Sequence, residues 1–455
     1  MSVFLLNPPG KRLYQRGDYC TAVSKAGYLI PPIDFVVIAA RLRAAGIRFR
    51  FLDAIAQRQS AASTLDAVAS AAPEAVFVVT GRASQEEDTA FLERIRNRVR
   101  TRIFGIGGNL LDWDEQRLLA SVIYDGIVLN YTSKDIVRLV RSHDGTRLAG
   151  IMYRSVDKVV PPAPDRPFRR LPIPPHALFT GRGYSLPFSR EPRFACVLAS
   201  FGCPSGCGFC TFGTMPFTMR DPSNVIEELH AIRAQGINEI HFCDPSFGAD
   251  KRRSKELADR LCAELPGLRL ICWARVDVMR GDLLQRWRKA GLHTVVYGVE
   301  SGSQATLDRW HKGFALDDVR TTLAECRSAG IVTACTFMIG LPGESPAGIE
   351  ETVQFALASD CDYASFNIAV PRPRTQLFRE AVAAGHEVHC DMDQSGRFLG
   401  STSPTQPDSA GLMRLRRQAE RRFYFRPAYL LRRALAIRNA GQLVRLFRGG
   451  IALLQ

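Results

Sequence analysis

Short apolar runs alternate with longer stretches in which apolar positions recur every three or four residues, and this alternation occurs twice along the chain. In the first third, residues 3–6, 49–52, 75–79, 103–106 and 125–129 read as buried strands. Residues 33–45, 62–71 and 86–99 between them have helical spacing. Five strands alternating with helices predict a doubly wound parallel sheet of the flavodoxin or Rossmann type, with ligands at the carboxyl ends of the strands where strand order reverses. The pattern resumes with strands at 194–200, 239–243, 268–273, 294–298, 332–339 and 363–370, and helices at 225–235, 251–265, 282–290, 316–329 and 346–358. Six such repeats fall short of the eight of a closed α/β barrel. Residues 161–192 are rich in proline and arginine without a hydrophobic period, which predicts a linker along the surface. The expected division is therefore a sheet domain at 1–146, a linker at 147–192, a barrel at 193–385 and a basic helical segment at 386–455.

Charge changes this picture only at one end. The formal net charge is +15, but from Leu412 onward eleven arginines face one acid, Glu420, so the last tenth carries +10 and the remainder +5. The chain of 455 residues has twelve cysteines, scattered rather than packed into a small framework, which argues against a disulfide scaffold. Residues 1–6 lack a basic leader and run into Asn7, Pro8 and Pro9, and no apolar stretch approaches the roughly 18 residues of a membrane span. A cytoplasmic protein is expected.

Candidate chemistry begins at Cys203, Cys207 and Cys210, spaced C-x3-C-x2-C on a loop opened by Gly202 and Pro204 after the strand at 194–200. Three thiolates on one loop make a soft anionic pocket, suited to iron–sulfur chemistry or zinc. Both usually take four protein ligands and this loop offers three. A zinc loop completed from elsewhere, or cysteines without a metal, fits the spacing less well.

This motif, with Phe209 before the third cysteine, resembles that of the radical S-adenosylmethionine enzymes. The resemblance implies a [4Fe-4S] cluster on the three cysteines whose fourth iron chelates S-adenosylmethionine, an external electron donor of flavodoxin or ferredoxin type, and a 5′-deoxyadenosyl radical. It also implies that the six repeats form the family's open (β/α)6 barrel, a partial TIM barrel. Later turns match the family in order: Asp244 at the methionine amino group, Glu300 and Ser301 in a ribose-contacting Gly-Val-Glu-Ser-Gly turn, and Gly340 in an apolar Gly-Leu-Pro-Gly loop against adenine, which Phe209 also touches. Arg275, Asp277 and Lys312 are further polar candidates, although Arg275 and Asp277 can simply pair and Lys312 can be solvated surface. The catalytic residues proper are not legible.

Ahead of such a barrel, the loops holding Asn7 and Pro8, Thr80 to Arg82, and Gly107 to Asn109 resemble the cobalamin-binding domain of cobalamin-type radical enzymes, with Gly107 and Gly108 beside the cofactor's nucleotide tail. The first histidine is His143, beyond the five strands, so no lower histidine ligand is expected from this domain. Asn130, Tyr131, Thr132 and Ser133 stand where the family commonly has a Gly-Glu-Gly-Glu turn; a purely structural or vestigial sheet domain is the rival reading. Arg421 to Pro427 resembles the tail of relatives acting on porphyrin-like or hopanoid substrates. Leu430, Leu431, Leu435, Ile437, Leu443, Val444, Leu446 and Phe447 alternate with arginines at roughly helical spacing, which suits peripheral membrane contact, a structural cap or nucleic acid. No dedicated RNA-binding module accompanies it. The expected activity is cobalamin-dependent methyl transfer to an unactivated carbon of a small or lipid-like substrate. The alternatives are a radical cyclase or oxidoreductase, an RNA-modifying radical enzyme, or a non-catalytic metal sensor.

Overall fold

The computed structural model describes residues 2–17, 22–24, 27–108, 110–142, 144–155, 158–165, 167–181, 183–385 and 409–435. Asn109, His143, Cys390 and residues 436–455 of the tail lie outside them. By their contacts, residues 1–24, 29–186 and 218–237 form one compact unit; residues 25–28, 187–217 and 238–455 form a second.

The first unit is built on β1 (Ser2–Asn7), β2 (Arg48–Asp53), β3 (Ala75–Val79), β4 (Arg102–Ile106) and β5 (Gly126–Val128), followed by β6 (Ile151–Ser155) and β7 (Lys158–Val160). Their spatial order is β2-β1-β3-β4-β5-β6-β7. The first five are parallel and in flavodoxin order, so strand order reverses between β1 and β3. β3 is Ala-Val-Phe-Val-Val and wholly buried, as a central parallel strand covered on both faces must be. β6 and β7 extend the sheet antiparallel, Gly126 facing Tyr153 and Tyr153 facing Val160. The hydrophobic pattern did not announce these two short strands beyond residue 146. The proline-rich segment is also less superficial than expected. Leu171, His176 and Phe179 are buried, and the Phe179 ring lies 4.5 Å from that of Phe51. Its polar anchors are on the helix Pro222–Arg233: Leu171 N donates to Asn224 Oδ1 at 2.8 Å, and His176 Nε2 meets Glu228 Oε1 at 2.8 Å.

The second unit contains six parallel strands in sequential order: β8 (Ala195–Val197), β9 (Glu239–Phe242), β10 (Arg269–Ala274), β11 (Leu292–Glu300), β12 (Val332–Ile339) and β13 (Tyr363–Ile368). Helices between them bury one stripe each. In Lys251–Glu264 the inward residues are Ser254, Leu257, Ala258 and Leu261, at helical spacing, and Asp250 caps the start by accepting from Arg253 N. Trp287, from the helix Gly281–Lys289, is buried against this helix and donates to Ser254 Oγ at 2.9 Å. Cys262, on the same helix, falls off the inward stripe and is exposed.

The edge strand β13 is covered by α1 (Ser409–Tyr424), from which Leu412, Ala419 and Phe423 are buried. Tyr424 Oη donates to Ala364 O at 2.7 Å and accepts from Ala364 N at 3.2 Å, occupying backbone groups that an open edge would expose. A second helix, α2 (Pro427–Leu435), comes next. Among the described residues no helix is long and apolar enough to cross a membrane.

Candidate functional site

The cysteine loop leaves the carboxyl end of β8. Gly202 has φ +73°, and a Cβ there would lie 2.5 Å from Pro216 O, so the turn requires glycine. Backbone bonds hold the rest of the loop: Cys203 N donates to Phe212 O (3.1 Å), Cys210 N to Cys207 O (3.1 Å) and Gly208 N to Trp310 O (2.9 Å). Cys203, Cys207 and Cys210 are free, partly exposed thiols. Desolvation pushes the Cys210 thiol up to about 11, so a thiolate there needs the positive charge of a metal.

The thiols of the loop are not gathered as for a single bound ion. Zinc–sulfur bonds of about 2.3 Å would draw tetrahedral thiolates to within about 3.8 Å of one another. Among the described residues, the one trio of candidate ligand atoms within 4.8 Å of each other is Cys196, His241 and Cys243; the loop thiols do not form such a trio. The buried trio is a poor site in turn. Trp273 Nε1 donates to His241 Nε2 at 2.9 Å, which leaves the ring proton on Nδ1, facing Cys196 Sγ and Cys243 Sγ at 3.9 and 3.8 Å. A protonated Nδ1 cannot ligate a metal.

Cations gather beside the loop. Asp277 grips Arg275 through two bonds of 2.9 Å, aiming Nη1 at Cys207 Sγ, 3.5 Å away. Arg275 also donates to Lys312 O. Lys312 is buried, not solvated; its Nζ lies 3.2 Å from Glu300 Oε1 and 5.7 Å from the centre of the Phe209 ring. Glu300 has φ +78°, unusual for a residue with a Cβ, where the β11–β12 register shifts between Gly298 and Glu300. Cys207, Phe209, Arg275, Glu300 and Lys312 thus form one connected set from four separate loops.

Phe209 packs with Met338, Leu341 and Trp310 in an apolar cluster. Gly340, at φ +82°, leaves room for Leu412, whose Cδ1 would be 2.9 Å from an added Cβ. Its N–H donates to Glu344 Oε2 at 2.7 Å, as does Leu341 N at 3.3 Å. Burial pushes the Glu344 carboxyl up to about 7. Glu344 Oε1 and Trp310 Nε1 are buried without a partner among the described residues, an acceptor and a donor on the loops that surround Phe209. Orphaned polar atoms of this kind suit a missing ligand. Asp244 and Ser301 are different. Asp244 is buried, accepting from Ala199 N (2.7 Å) and Ser200 Oγ (2.5 Å), and so ties the chain before the cysteines to the end of β9. The Ser301 hydroxyl is buried against Thr352 Oγ1 (3.2 Å) and accepts from Ser303 N (3.1 Å).

In the first unit the loops after β1 and β3 meet at the strand-order reversal, held by a residue that sequence reading passed over. Arg16 is buried and donates to Asn7 Oδ1 (2.9 Å), Pro8 O (2.6 Å), Pro9 O (3.2 Å), Ser84 Oγ (3.0 Å) and Asp88 Oδ1 (2.7 Å). Asp88 also accepts from Gly81 N at 3.2 Å and Ser84 Oγ at 2.7 Å. Burial raises the Asp88 carboxyl despite the neighbouring guanidinium. Gly107 and Gly108 both have positive φ, and a Cβ on Gly108 would sit 2.7 Å from Thr80 Oγ1, so this pair folds over the loop after β3. No local pattern marks Arg16, since its partners lie up to 72 residues away. Lys312 did carry a signal, its position shortly after the Glu300 turn.

A family profile for the radical S-adenosylmethionine superfamily matches residues 197–356, from β8 into the helix Pro346–Ala358. Residues 197–356 thus carry a radical S-adenosylmethionine domain. The chain is 25% identical over 450 residues to an uncharacterized methyltransferase of Pyrococcus horikoshii, covering 95% of itself and 94% of that relative. It is 24% identical to the anaerobic magnesium-protoporphyrin IX monomethyl ester cyclase of Cereibacter sphaeroides, over 77% of this chain and 60% of the cyclase. Its fold is similar to that of the radical methyltransferase TsrM of Kitasatospora setae, solved with cobalamin and a [4Fe-4S] cluster. The TM-score is 0.66 at 20% identity, over 84% of this chain and 75% of TsrM.

Proposed function

We propose that this radical enzyme is a cobalamin-dependent methyltransferase acting on an unactivated carbon of a small or lipid-like substrate. The observation that carries the reading is the loop of three free thiols, flanked by Arg275, Lys312 and the strained Glu300. Cys203, Cys207 and Cys210 would hold a [4Fe-4S] cluster, and the six sequential strands would curl as an open barrel around it. Bound there, the cluster would supply the electron that cleaves the sulfonium of S-adenosylmethionine; cobalamin on the flavodoxin-type sheet would supply the methyl group.

The chain's own residues have definable tasks. Arg275 lowers the electrostatic cost of gathering three thiolates. Glu300, held by Lys312, presents a carboxylate able to accept from ribose hydroxyls. Phe209, Leu341 and Met338 offer an apolar face for adenine, and Asp244 and Ser301 keep their loops in place. Asn7, Pro8, Gly107 and Gly108 lie on loops at the carboxyl edge of the sheet, where such folds take their ligand. The engagement of Asn7 Oδ1 by Arg16 favours the rival of a vestigial cobalamin domain.

Anaerobic reconstitution with iron, sulfide and cobalamin, then incubation with S-adenosylmethionine and a flavodoxin-type reductant, tests both. S-adenosylhomocysteine and a methylated product are expected. Release of 5′-deoxyadenosine alone, with no cobalamin retained, would favour the vestigial reading; no cleavage at all would leave a metal-binding protein.

A further inference from the structure

The basic tail does not present its charge in the way its sequence suggests. In α2, Tyr429 is the inward residue, donating from Oη to Asp362 O at 3.0 Å. Two arginines flank it and are engaged within the chain. Arg426 lies 4.4 Å over the Phe423 ring and donates to Phe423 O and Leu357 O, while Arg432 pairs with Asp360. The leucines are turned out. Leu430 is 49% exposed, Leu431 63% and Leu435 79%, and Phe425, just before the helix, is 47%. Of the eight large hydrophobic side chains exposed among the described residues, four fall within residues 425–435. Scattered exposure needs no explanation, but a concentrated patch does.

We propose that this outward face of α2 docks the protein on an anionic lipid surface. Leu431 and Leu435 lie one turn apart with Leu430 beside them, a narrow apolar strip able to enter the boundary between headgroups and acyl chains. Positive charge accompanies it on the preceding helix, where Arg417 and Arg421 are exposed. Arginines within a Debye length of an anionic leaflet are drawn to it, each adding to the attraction. A second copy of the chain fits less well, because four side chains offer a few hundred Å² where a stable dimer buries about 800 Å² per partner. Nucleic acid fits poorly too, since the outward groups are leucines and two nearby arginines are already paired. The proposal rests on α2 and the helix before it, and is independent of the methyl-transfer reading.

The test is co-sedimentation of the full-length protein with vesicles of phosphatidylcholine, with and without phosphatidylglycerol. Binding to the anionic vesicles, weakened by salt, is expected. The combined variant Leu430→Ser, Leu431→Ser and Leu435→Ser should lower the partition coefficient at least about tenfold, with the melting temperature and S-adenosylmethionine cleavage unchanged. As a separate reporter, Leu431→Trp should shift its fluorescence to the blue on anionic vesicles. Absence of binding, binding that the serine variant retains, or an unshifted tryptophan would overturn the proposal. So would a dimer that the serine variant dissociates, or RNA retention that it abolishes.

Discussion

Two residues show how the cysteine loop and its neighbour depend on backbone placement. Gly202→Ala puts a Cβ 2.5 Å from Pro216 O at a positive φ, which must displace Cys203, whereas a Cβ on Gly206 meets open space. Reconstituted Gly202→Ala is expected to bind markedly less iron per chain than wild type, and Gly206→Ala to match it; equal iron in both variants would contradict the loop geometry. Glu344 makes a pH-dependent prediction. Its folded-state pKa, about 7, lies above the ordinary 4.5, so the fold prefers the protonated carboxyl. The stability this contributes is complete below about pH 4.5 and is lost as pH rises through 7. Relative to Glu344→Gln, the wild type should therefore lose up to roughly 3 kcal/mol between pH 4.5 and 8. Denaturant melts across that range check it, and parallel pH profiles would exclude it.

At the scale of elements, the loops after β1 and β3 are joined by the Arg16–Asp88 ion pair and the hydrogen bonds around it. Removing Arg16 leaves Asp88 buried beside only neutral donors. Arg16→Ala is expected to cost about 3–5 kcal/mol, the usual penalty of an uncompensated buried charge. Arg16→Met combined with Asp88→Leu should recover much of that, because two apolar groups need no pairing. A double variant no more stable than Arg16→Ala would mean that the hydrogen bonds to Pro8, Pro9 and Ser84, rather than charge compensation, hold the loops. Elsewhere the elements obey familiar rules. Ser345 caps the helix Pro346–Ala358 by accepting from Gly348 N, with Pro346 in its first turn, and Thr375 caps Gln376–Ala383 by accepting from Phe378 N.

For the whole molecule, the absence of histidine from the sequence of the first five strands and their loops has a spectroscopic consequence. If cobalamin binds to this sheet, cob(II)alamin in the full-length protein should show no nitrogen superhyperfine splitting from a protein histidine in its electron paramagnetic resonance spectrum. Such splitting would place the cofactor elsewhere. The tail behaves as two pieces at this scale: α1 covers the sheet edge through Leu412, Phe423 and Tyr424, while α2 turns leucines outward.

Much of the architecture was legible because it is local. Parallel strands covered on both faces must be apolar runs, helices must repeat their apolar positions, and a loop of three thiols between glycines announces a metal. Those signals were enough for the strand–helix alternation of both sheets, the position of Cys203, Cys207 and Cys210, and the order of the turns at Glu300 and Gly340. Tertiary structure decided what depends on distant partners. Arg16 is a clamp only because Asp88 faces it, Lys312 is a site residue only because Glu300 folds back to it, and Gly340 makes room for Leu412 from the far end of the chain. Arg426 and Arg432 look like free outward charge in sequence, yet Phe423 and Asp360 engage them, while Leu430, Leu431 and Leu435 are left to solvent. Sequence periodicity tells which residues share a face; which way that face points is settled only by what stands opposite it.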